Sequence, residues 1–289
     1  KPVFRFAPSP NGRLHLGHAL SALTNQAMVL KVGGHLLLRI EDIDLTRSRA
    51  EFVEGIVEDL AWLGIAFEPG IRRQSEHFDD YAKALDALRE RGLIYPCFRS
   101  RQEIRAEVTA WETEAGRPWP TDPDGAPLYP GPCKALEPGD GMRRIAAGEP
   151  HVLRLDMAKA RAIAGKALSY TVFDGEGGTR VVMAAPDRWG DVVLARKDVP
   201  TSYHLAVVVD DALQGVTHVV RGRDLEAATD IHVVLQHLLG LPTPLYHFHR
   251  LLLDKDGRKL AKSRQSDSLA ALRAAGGSPA AIRRRLGFA

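Results

Sequence analysis

Short apolar runs alternate with stretches of helical periodicity over the first third of the chain. Gly33 and Gly34 end the first helical stretch, and the run from His35 to Ile40 is typical of a buried parallel strand. The predicted elements are a strand at Val3 to Phe6, a helix at about Leu20 to Val32, a strand at His35 to Ile40, and helices at Arg47 to Leu63 and Phe78 to Arg91. This order predicts an α/β protein with a parallel sheet.

The alternation is interrupted after a strand predicted at Leu93 to Tyr95. The segment from Cys97 to about Gly141 is rich in Pro and Gly around one helical piece, Arg101 to Thr113. Short strands are then predicted at His151 to Asp156, Ser169 to Phe173 and Arg180 to Met183. We interpret residues 97–189 as an inserted region.

From Gly190 the alternation is expected to resume. The predicted elements are a strand at Asp191 to Leu194, a helix near Tyr203 to Asp211, a strand at His218 to Val220, a helix at Leu225 to Leu239, a strand at Leu251 to Leu253 and a short helix at Asp267 to Ala275. We therefore divide the chain into a first half of the α/β domain at 1–96, the insertion, a second half at 190–250, and a loop with a short basic tail at 251–289.

The composition is ordinary for a soluble globular protein, with 45% apolar and 26% charged residues among 289. No apolar run approaches the roughly 20 residues that span a bilayer, and no signal peptide precedes the first strand. Two cysteines, Cys97 and Cys133, provide no disulfide framework. We expect a cytoplasmic protein without membrane contact.

The distribution of charge is more informative than the net charge of +3. Basic residues outnumber acidic ones in the last part of the chain. They are Lys255, Arg258, Lys259, Lys262, Arg264, Arg273, Arg283, Arg284 and Arg285, against Asp256 and Asp267. A solvated helix face and contact with RNA phosphates are both consistent with this run.

The turn between the first strand and the first helix is the strongest candidate site. Because it follows a parallel strand, it lies at the carboxyl edge of the sheet, where open α/β folds bind ligands. The helix N-terminus offers N–H groups and a positive dipole end, which suit a polyphosphate. His15 and His18 share one helix face and can donate to phosphate oxygens, while Gly17 places no side chain between backbone and nucleotide.

This stretch, His15-Leu16-Gly17-His18, resembles the HIGH motif of class I aminoacyl-tRNA synthetases. The preceding residues Arg5 to Gly12 resemble the entry strand of the glutamyl and glutaminyl branch. Near the other end of the chain, Lys259-Leu260-Ala261-Lys262-Ser263 resembles the KMSKS loop, with Ala261 in place of the usual serine. The resemblance implies a split Rossmann-like nucleotide-binding fold with an insertion.

The resemblance also implies ATP and Mg²⁺ as reactants. The implied ATP-binding residues are His15, Gly17, His18, Lys259 and Lys262, of which His15, His18 and Lys262 are catalytic. A lysine on a flexible loop stabilises charge on the ATP phosphates when a carboxylate attacks the α-phosphorus. Taken alone, such a lysine pair in a basic tail is more typical of a solvated loop.

The segments 198–211 and 215–222 resemble the glutamate-binding region of glutamyl-tRNA synthetases. The implied glutamate-binding residues are Arg5, Ser9, Glu41, Tyr203 and Arg221. A substrate with two carboxylates and one ammonium group requires guanidinium groups and one acid. We expect Glu41 to bind the ammonium group, Arg5 to help hold a carboxylate, and Arg221 to recognise the γ-carboxylate and reject the neutral amide of glutamine.

Some of these residues have a structural alternative. Arg221 could form a salt bridge at a strand end, and Tyr203 could be a core aromatic. Asp42 and Asp44, which follow the second strand, are more typical of acids that cap the next helix than of ligands for an ammonium group.

The cysteine segment only partly matches the zinc subdomain that relatives of this family often carry. Cys97, Tyr129 and Cys133 match the pattern, but Arg99 occupies the second cysteine position, and a guanidinium cannot bind zinc. We expect a loop without metal.

The family resemblance runs from Arg5 to Ser263, and only a short basic tail follows before Ala289. No anticodon-binding domain is expected in this length. A catalytic domain of this size with no anticodon-binding domain resembles the family of glutamyl-queuosine tRNA(Asp) synthetases. The resemblance implies ATP-dependent activation of L-glutamate and its transfer to queuosine in the anticodon loop of tRNA(Asp), and we expect a monomer.

Three alternatives stay open. The chain could be a fragment of a glutamyl-tRNA synthetase that charges tRNA(Glu), or a small-molecule adenylyltransferase that shares the His-x-Gly-His motif. It could also be a non-catalytic paralogue that only binds tRNA or glutamate. His15, His18 and Lys262 are intact, which argues against the last alternative.

Overall fold

Strands and helices alternate along much of the chain in the computed structural model, which describes residues 1–137, 139–165, 167–253 and 268–288. The strands are β1 (Val3–Phe6), β2 (His35–Ile40), β3 (Arg72–Arg73), β4 (Ile94–Cys97), β5 (Val152–Leu155), β6 (Ser169–Phe173), β7 (Thr179–Met183), β8 (Val193–Ala195), β9 (His218–Gly222) and β10 (Leu245–His249). The helices are α1 (Leu16–Val32), α2 (Ala50–Trp62), α3 (Phe78–Glu90), α4 (Arg101–Ala115), α5 (Asp140–Ala146), α6 (Met157–Ala164), α7 (Tyr203–Leu213), α8 (Thr229–Leu239), α9 (Leu269–Ala274) and α10 (Pro279–Leu286).

Within these residues the strands form two sheets. The larger has the order β3-β2-β1-β9-β10-β6-β7, and its strands are parallel except at the β6–β7 edge. The smaller sheet, β4-β5-β8, is antiparallel. The chain progresses outward from β1 to β3 on one side and from β9 to β10 on the other. The strand order thus reverses between β1 and β9, which opens a crevice at their carboxyl ends. The predicted α/β class is confirmed.

Two hydrophobic cores cover opposite faces of the larger sheet. Val219 belongs to one core and the next residue of β9, Val220, belongs to the other. Because successive strand residues point to opposite faces, each core lies on its own face. Helices α3, α6, α7 and α8 contribute to the core that contains Val219, and α1, α2, α9 and α10 to the core that contains Val220.

Helix α1 begins at Leu16, four residues before the predicted start near Leu20. The imidazole of His15 acts as the N-cap, which is a function more often served by Ser, Thr, Asp or Asn. The predicted end is confirmed, since Gly33 closes the helix in the left-handed conformation with φ of 66°.

The predicted capping role of Asp42 and Asp44 is wrong. Helix α2 begins at Ala50, and its N-cap, Arg49, forms no side-chain capping bond. Asp42 instead accepts hydrogen bonds from the backbone N–H and hydroxyl of Ser75, both at 2.8 Å. Asp44 accepts from the hydroxyl of Thr46 at 2.7 Å within its own turn. These acids therefore stabilise loops beside the sheet.

Sheet membership does not follow the predicted limits of the insertion. The strand expected at Asp191 to Leu194 is β8, which pairs with β5 in the smaller sheet, so the parallel alternation does not resume at Gly190. Conversely, β6 and β7 belong to the larger sheet beside β10. The division into domains stays a prediction.

Strand β10 occupies residues 245–249, whereas a strand was expected at Leu251 to Leu253. Its sequence, Leu-Tyr-His-Phe-His, places His247 and His249 among the apolar residues. Because the two histidines interrupt the apolar run, the sequence pattern did not predict this strand, although it lies between β9 and β6 in the larger sheet.

The C-terminal helices α9 and α10 pack against α2 and α1, and Leu269, Ile282 and Leu286 join the hydrophobic core on that face of the sheet. Arg283 donates to the carbonyl of Leu63 at 2.8 Å, and Arg273 lies 3.4 Å from Asp59. Part of the basic run therefore serves internal contacts. No helix in the described ranges is both long and apolar enough to cross a bilayer.

Candidate active site

A cavity of about 670 Å³ opens where β1 and β9 end. Its lining contains all the predicted site residues that the structure describes. They are Arg5, Ser9, His15, Gly17, His18, Glu41, Tyr203 and Arg221. The cavity thus joins the first turn, the end of β2, the start of α7 and the end of β9. The predicted Lys259 and Lys262, with the rest of the KMSKS-like loop, lie outside the described residues.

The two histidines are fixed by the start of α1. His15 Nδ1 accepts from the N–H of Gly17 at 3.0 Å, and His18 Nδ1 accepts from the N–H of His15 at 3.1 Å. Since each Nδ1 is an acceptor, the neutral form of each ring carries its proton on Nε2. Both rings are therefore set to act as donors through Nε2, as a phosphate ligand requires.

Gly17 is needed for this arrangement. A Cβ at this position would lie 2.8 Å from Cε1 of His15, closer than side-chain atoms normally approach. The glycine therefore allows the imidazole to fold over its own helix start, which is a second reason for its place in the motif.

Three arginines turn toward the helices α7 and α8. Arg5, Arg39 and Arg221 each lie two positions after an apolar residue of the core on that face. Because side chains in a strand alternate with a period of two, the arginines point to the same face. There α7 and α8 provide their partners.

Asp211 on α7 is the partner of two of these arginines. Its Oδ1 accepts from Arg5 Nε at 3.1 Å and from Arg39 Nη1 at 2.8 Å. Burial raises the pKa of Asp211, but the two guanidinium groups outweigh burial and lower its pKa overall. Asp211 therefore stays ionised and neutralises part of the positive charge.

Glu41 is held beside this pair. Arg39 Nη2 lies 3.3 Å from Glu41 Oε1, and the Glu41 side chain is only 9% exposed. Burial raises the pKa of Glu41 despite the opposing effect of Arg39 and Arg5. An ammonium group in the cavity would stabilise the charged form of this acid.

Arg221 has a different environment from the other two arginines. It donates to Thr229 Oγ1 at 2.6 Å and to His232 Nδ1 at 3.0 Å, and its Nη1 lies 3.5 Å from the hydroxyl of Tyr203. Its guanidinium also lies 5.3 Å from the ring centroid of Tyr246. Arg221 is 4% exposed, and its Nε has no partner among the described residues.

These contacts bear on the structural alternatives for Arg221 and Tyr203. Within the described ranges, no carboxylate lies at ion-pair distance from Arg221, so a structural salt bridge is not supported. Tyr203 packs against the core and also lines the cavity, so both of its interpretations hold in part.

Four residues that shape the site were not predicted from the sequence. They are Arg39, Asp211, Thr229 and His232. Arg39 interrupts an otherwise apolar strand, which is a signal that could have identified it. Asp211 lies within the segment that resembles glutamyl-tRNA synthetases, but nothing in the sequence pairs it with residues on β1 and β2.

A second cleft of about 640 Å³ adjoins the cavity and shares Ser9, Glu41 and Tyr203 with it. Several arginines line the cleft. They are Arg47, Arg101, Arg105, Arg154 and Arg196. Burial, followed by the positive charges of Arg101 and Arg47, lowers the pKa of Arg196.

The cysteine segment brings its matching residues together. The N–H of Cys133 donates to the hydroxyl of Tyr129 at 3.0 Å, and the Arg154 guanidinium lies 3.9 Å from the Tyr129 ring centroid. Arg99 is directed instead toward Glu103, at 3.5 Å. The residues described contain no group of three His, Cys, Asp or Glu side chains that could hold a metal ion. The loop without metal stays a prediction.

Comparisons with known proteins agree with this geometry. The family model described as "tRNA synthetases class I (E and Q), catalytic domain" matches residues 2–288. A glutamyl-Q tRNA(Asp) synthetase of Rhodobacter capsulatus is 44% identical, over 99% of this chain and 100% of its own length. A glutamate–tRNA ligase of Aquifex aeolicus is 36% identical over 96% of this chain and 55% of its own length.

The solved structure of a glutamate tRNA ligase from Elizabethkingia meningosepticum matches with a TM-score of 0.72 and 26% identity. The match covers 91% of this chain and 52% of the ligase, so the chain spans about half the length of that structure.

The fold and the site thus define a class I tRNA synthetase catalytic domain of the glutamyl and glutaminyl group. The expected Rossmann-like fold is confirmed. Within that group, the chain belongs to the family of glutamyl-Q tRNA(Asp) synthetases.

Proposed function

We propose that this chain is a ligase that activates L-glutamate with ATP and transfers it to the queuosine base of tRNA(Asp). The observation that carries the proposal is the buried Arg221, which has no carboxylate partner in the ranges that the structure describes, in the same cavity as Glu41 and the paired histidines. Similarity over the whole length of the Rhodobacter capsulatus protein supports the choice of acceptor.

The cavity matches the charges of glutamate. Arg221 would pair with the γ-carboxylate, and its planar fork suits a carboxylate better than an amide. Glu41 would bind the α-ammonium group. Arg5, aimed by Asp211, would help to orient a substrate carboxylate.

The first step joins glutamate to AMP. An oxygen of the α-carboxylate attacks the α-phosphorus of ATP. A bond forms between that oxygen and the α-phosphorus, and the bond between the α-phosphorus and the bridging oxygen of the leaving pyrophosphate breaks. His15 and His18 would donate through Nε2 to phosphate oxygens, which stabilises charge in the transition state. Lys262 is proposed for the same task on sequence grounds alone. Class I synthetases use Mg²⁺ with ATP, where the ion neutralises phosphate charge, and we assign it no protein ligand.

In the second step a hydroxyl of the queuosine cyclopentene ring attacks the activated carbonyl. An ester forms, AMP leaves, and the hydroxyl proton passes to solvent or to AMP. We assign no general base, since orientation of the reactants lowers the barrier substantially by itself. The cleft beside Glu41 contains five arginines that would contact RNA phosphates, interspersed with Glu41 and four aspartates. A cytoplasmic, monomeric protein is proposed with this function.

A conventional glutamyl-tRNA synthetase remains a second candidate. Glutamate–tRNA ligases match 96% of this chain at 34% to 36% identity. A longer native chain that charges tRNA(Glu) would have the same catalytic domain.

Amino-acid-dependent exchange of pyrophosphate into ATP tests the activation step. We expect exchange with L-glutamate and at most a small fraction of that rate with L-glutamine or L-aspartate. Absence of exchange under all conditions, with and without tRNA, would favour the non-catalytic paralogue. Equal exchange with glutamine would contradict the role of Arg221.

A further inference from the structure

Two histidines form a hydrogen-bonded chain behind Arg221. Arg221 Nη1 lies 3.0 Å from Nδ1 of His232, and Nε2 of His232 lies 3.2 Å from Nδ1 of His204. A guanidinium can only donate, so Nδ1 of His232 must be unprotonated. His232 then carries its proton on Nε2 and donates it to His204 Nδ1, which leaves the His204 proton on Nε2.

Both imidazoles are neutral in this arrangement. Burial, with a further contribution from Arg221, lowers the pKa of His204 to about 4 and the pKa of His232 well below its usual value. His232 is 2% exposed. A second positive charge beside Arg221 is therefore disfavoured at neutral pH.

The contacts of Arg221 consequently orient its charge without neutralising it. Thr229 and His232 are neutral acceptors at 2.6 and 3.0 Å from the guanidinium nitrogens. The ring centroids of Tyr246 and Phe248 lie 5.3 and 5.8 Å from the guanidinium carbon. On the same face of the sheet, Arg5 shares the carboxylate of Asp211 with a second arginine. Within the described part of the chain, Arg5 is thus compensated by a carboxylate and Arg221 is not.

We propose that His232 is a positioning residue that determines selectivity for a side-chain carboxylate, because it fixes Arg221 while leaving the positive charge available to substrate. His204 accepts the Nε2 proton of His232 and thereby stabilises the His232 tautomer whose Nδ1 is free to accept from Arg221. The inference rests on the proposed function, since it assumes that Arg221 contacts the γ-carboxylate of glutamate.

The variants His232→Asp and His232→Asn have the same shape as each other and differ in charge, so comparing them separates the effect of charge from the effect of shape. Both side chains can accept from Arg221, but only aspartate neutralises it. In pyrophosphate exchange we expect His232→Asp to raise KM for glutamate by roughly 30-fold or more, a size typical of a charge-assisted hydrogen bond, and to reduce selectivity over glutamine by a similar factor. We expect His232→Asn to stay within about fivefold of wild type, because it preserves a neutral acceptor.

A control variant tests for a general effect of negative charge. His237→Asp adds a carboxylate to the exposed side of the same helix, α8, and should leave KM and selectivity unchanged. Equal behaviour of His232→Asp and His232→Asn, with both folded by circular dichroism, would overturn the proposal.

A neutral pair keeps the proposal testable if His232→Asp does not fold. His232→Leu fills the space but cannot accept from Arg221, so its KM for glutamate should exceed that of His232→Asn by about tenfold. The reverse order would show that His232 only fills space. Wild-type exchange is measured first, and its absence would refute the proposed function rather than this inference.

Discussion

Asp211→Asn is the most informative single substitution outside the residues expected to touch substrate. The carboxylate bridges β1 and β2 through Arg5 and Arg39, and its side chain is 8% exposed. Asparagine has the same shape but removes the negative charge. Two buried guanidinium groups would then share fewer compensating charges.

The size of the effect follows from the remaining partners. Removing one partner of a buried ion pair costs about 3–5 kcal/mol. Arg39 keeps Glu41 at 3.3 Å and Asp210 at 3.8 Å, so its charge is not left alone. We therefore expect the free energy of unfolding to fall by about 3 kcal/mol, the lower end of that range. KM for glutamate should rise about tenfold, because Arg5 loses the contact that aims it.

The pH dependence provides an independent check. The pKa of Asp211 is lowered in the folded protein, so its stabilisation is present above the ordinary aspartate pKa and is lost as pH falls through the lowered value. The difference in stability between wild type and Asp211→Asn should therefore shrink progressively in acid.

Urea unfolding at several pH values, together with pyrophosphate exchange, measures both effects. Asp86→Asn is the matched control, because Asp86 pairs with Arg89 at the surface and its loss should cost at most about 0.5 kcal/mol. A change at Asp211 as small as that of the control, or one that does not vary with pH, would refute the reasoning.

Three further substitutions or conditions test the site. Arg221→Ala should abolish selectivity for glutamate over glutamine in pyrophosphate exchange, and retained selectivity would remove Arg221 from that role. Gly17→Ala should slow exchange by about tenfold with little change in KM for glutamate. The new Cβ would lie 2.8 Å from Cε1 of His15 and would force the imidazole to move. An unchanged rate would contradict the geometry of the first turn. Because burial raises the pKa of Glu41, KM for glutamate should rise with falling pH above the ordinary glutamate pKa of about 4.3, and a rise only below that value would contradict the assigned role of Glu41.

The first turn and α1 were predictable because their signals are local. The strand, the glycines and the two histidines lie within one short segment, and reciprocal capping bonds at the start of α1 hold His15 and His18 together, although α1 begins four residues before the predicted start. The cluster of Arg39 and Asp211 was not predictable in this way. These residues are 172 positions apart, and only the pairing of β1 with β2 under α7 brings them into contact.

The assignment of acids after β2 shows a second limit. Asp42 and Asp44 have the residue type and position of helix caps. Their carboxylates instead accept hydrogen bonds from Ser75 and Thr46, and neither caps α2. His232 illustrates a third case. A histidine in a buried helix face carries no sequence signal of its neutral state, which depends on Arg221 from another strand.

Transfer of radiolabelled glutamate with ATP to tRNA(Asp) bearing queuosine tests the central claim most directly. Unmodified tRNA(Asp) and tRNA(Glu) serve as parallel acceptors. The account predicts label on the queuosine-bearing tRNA(Asp) alone, in an amount that matches its queuosine content. Label on tRNA(Glu), or equal label on modified and unmodified tRNA(Asp), would contradict it and identify the chain as the catalytic part of a conventional glutamyl-tRNA synthetase or as an enzyme with another acceptor.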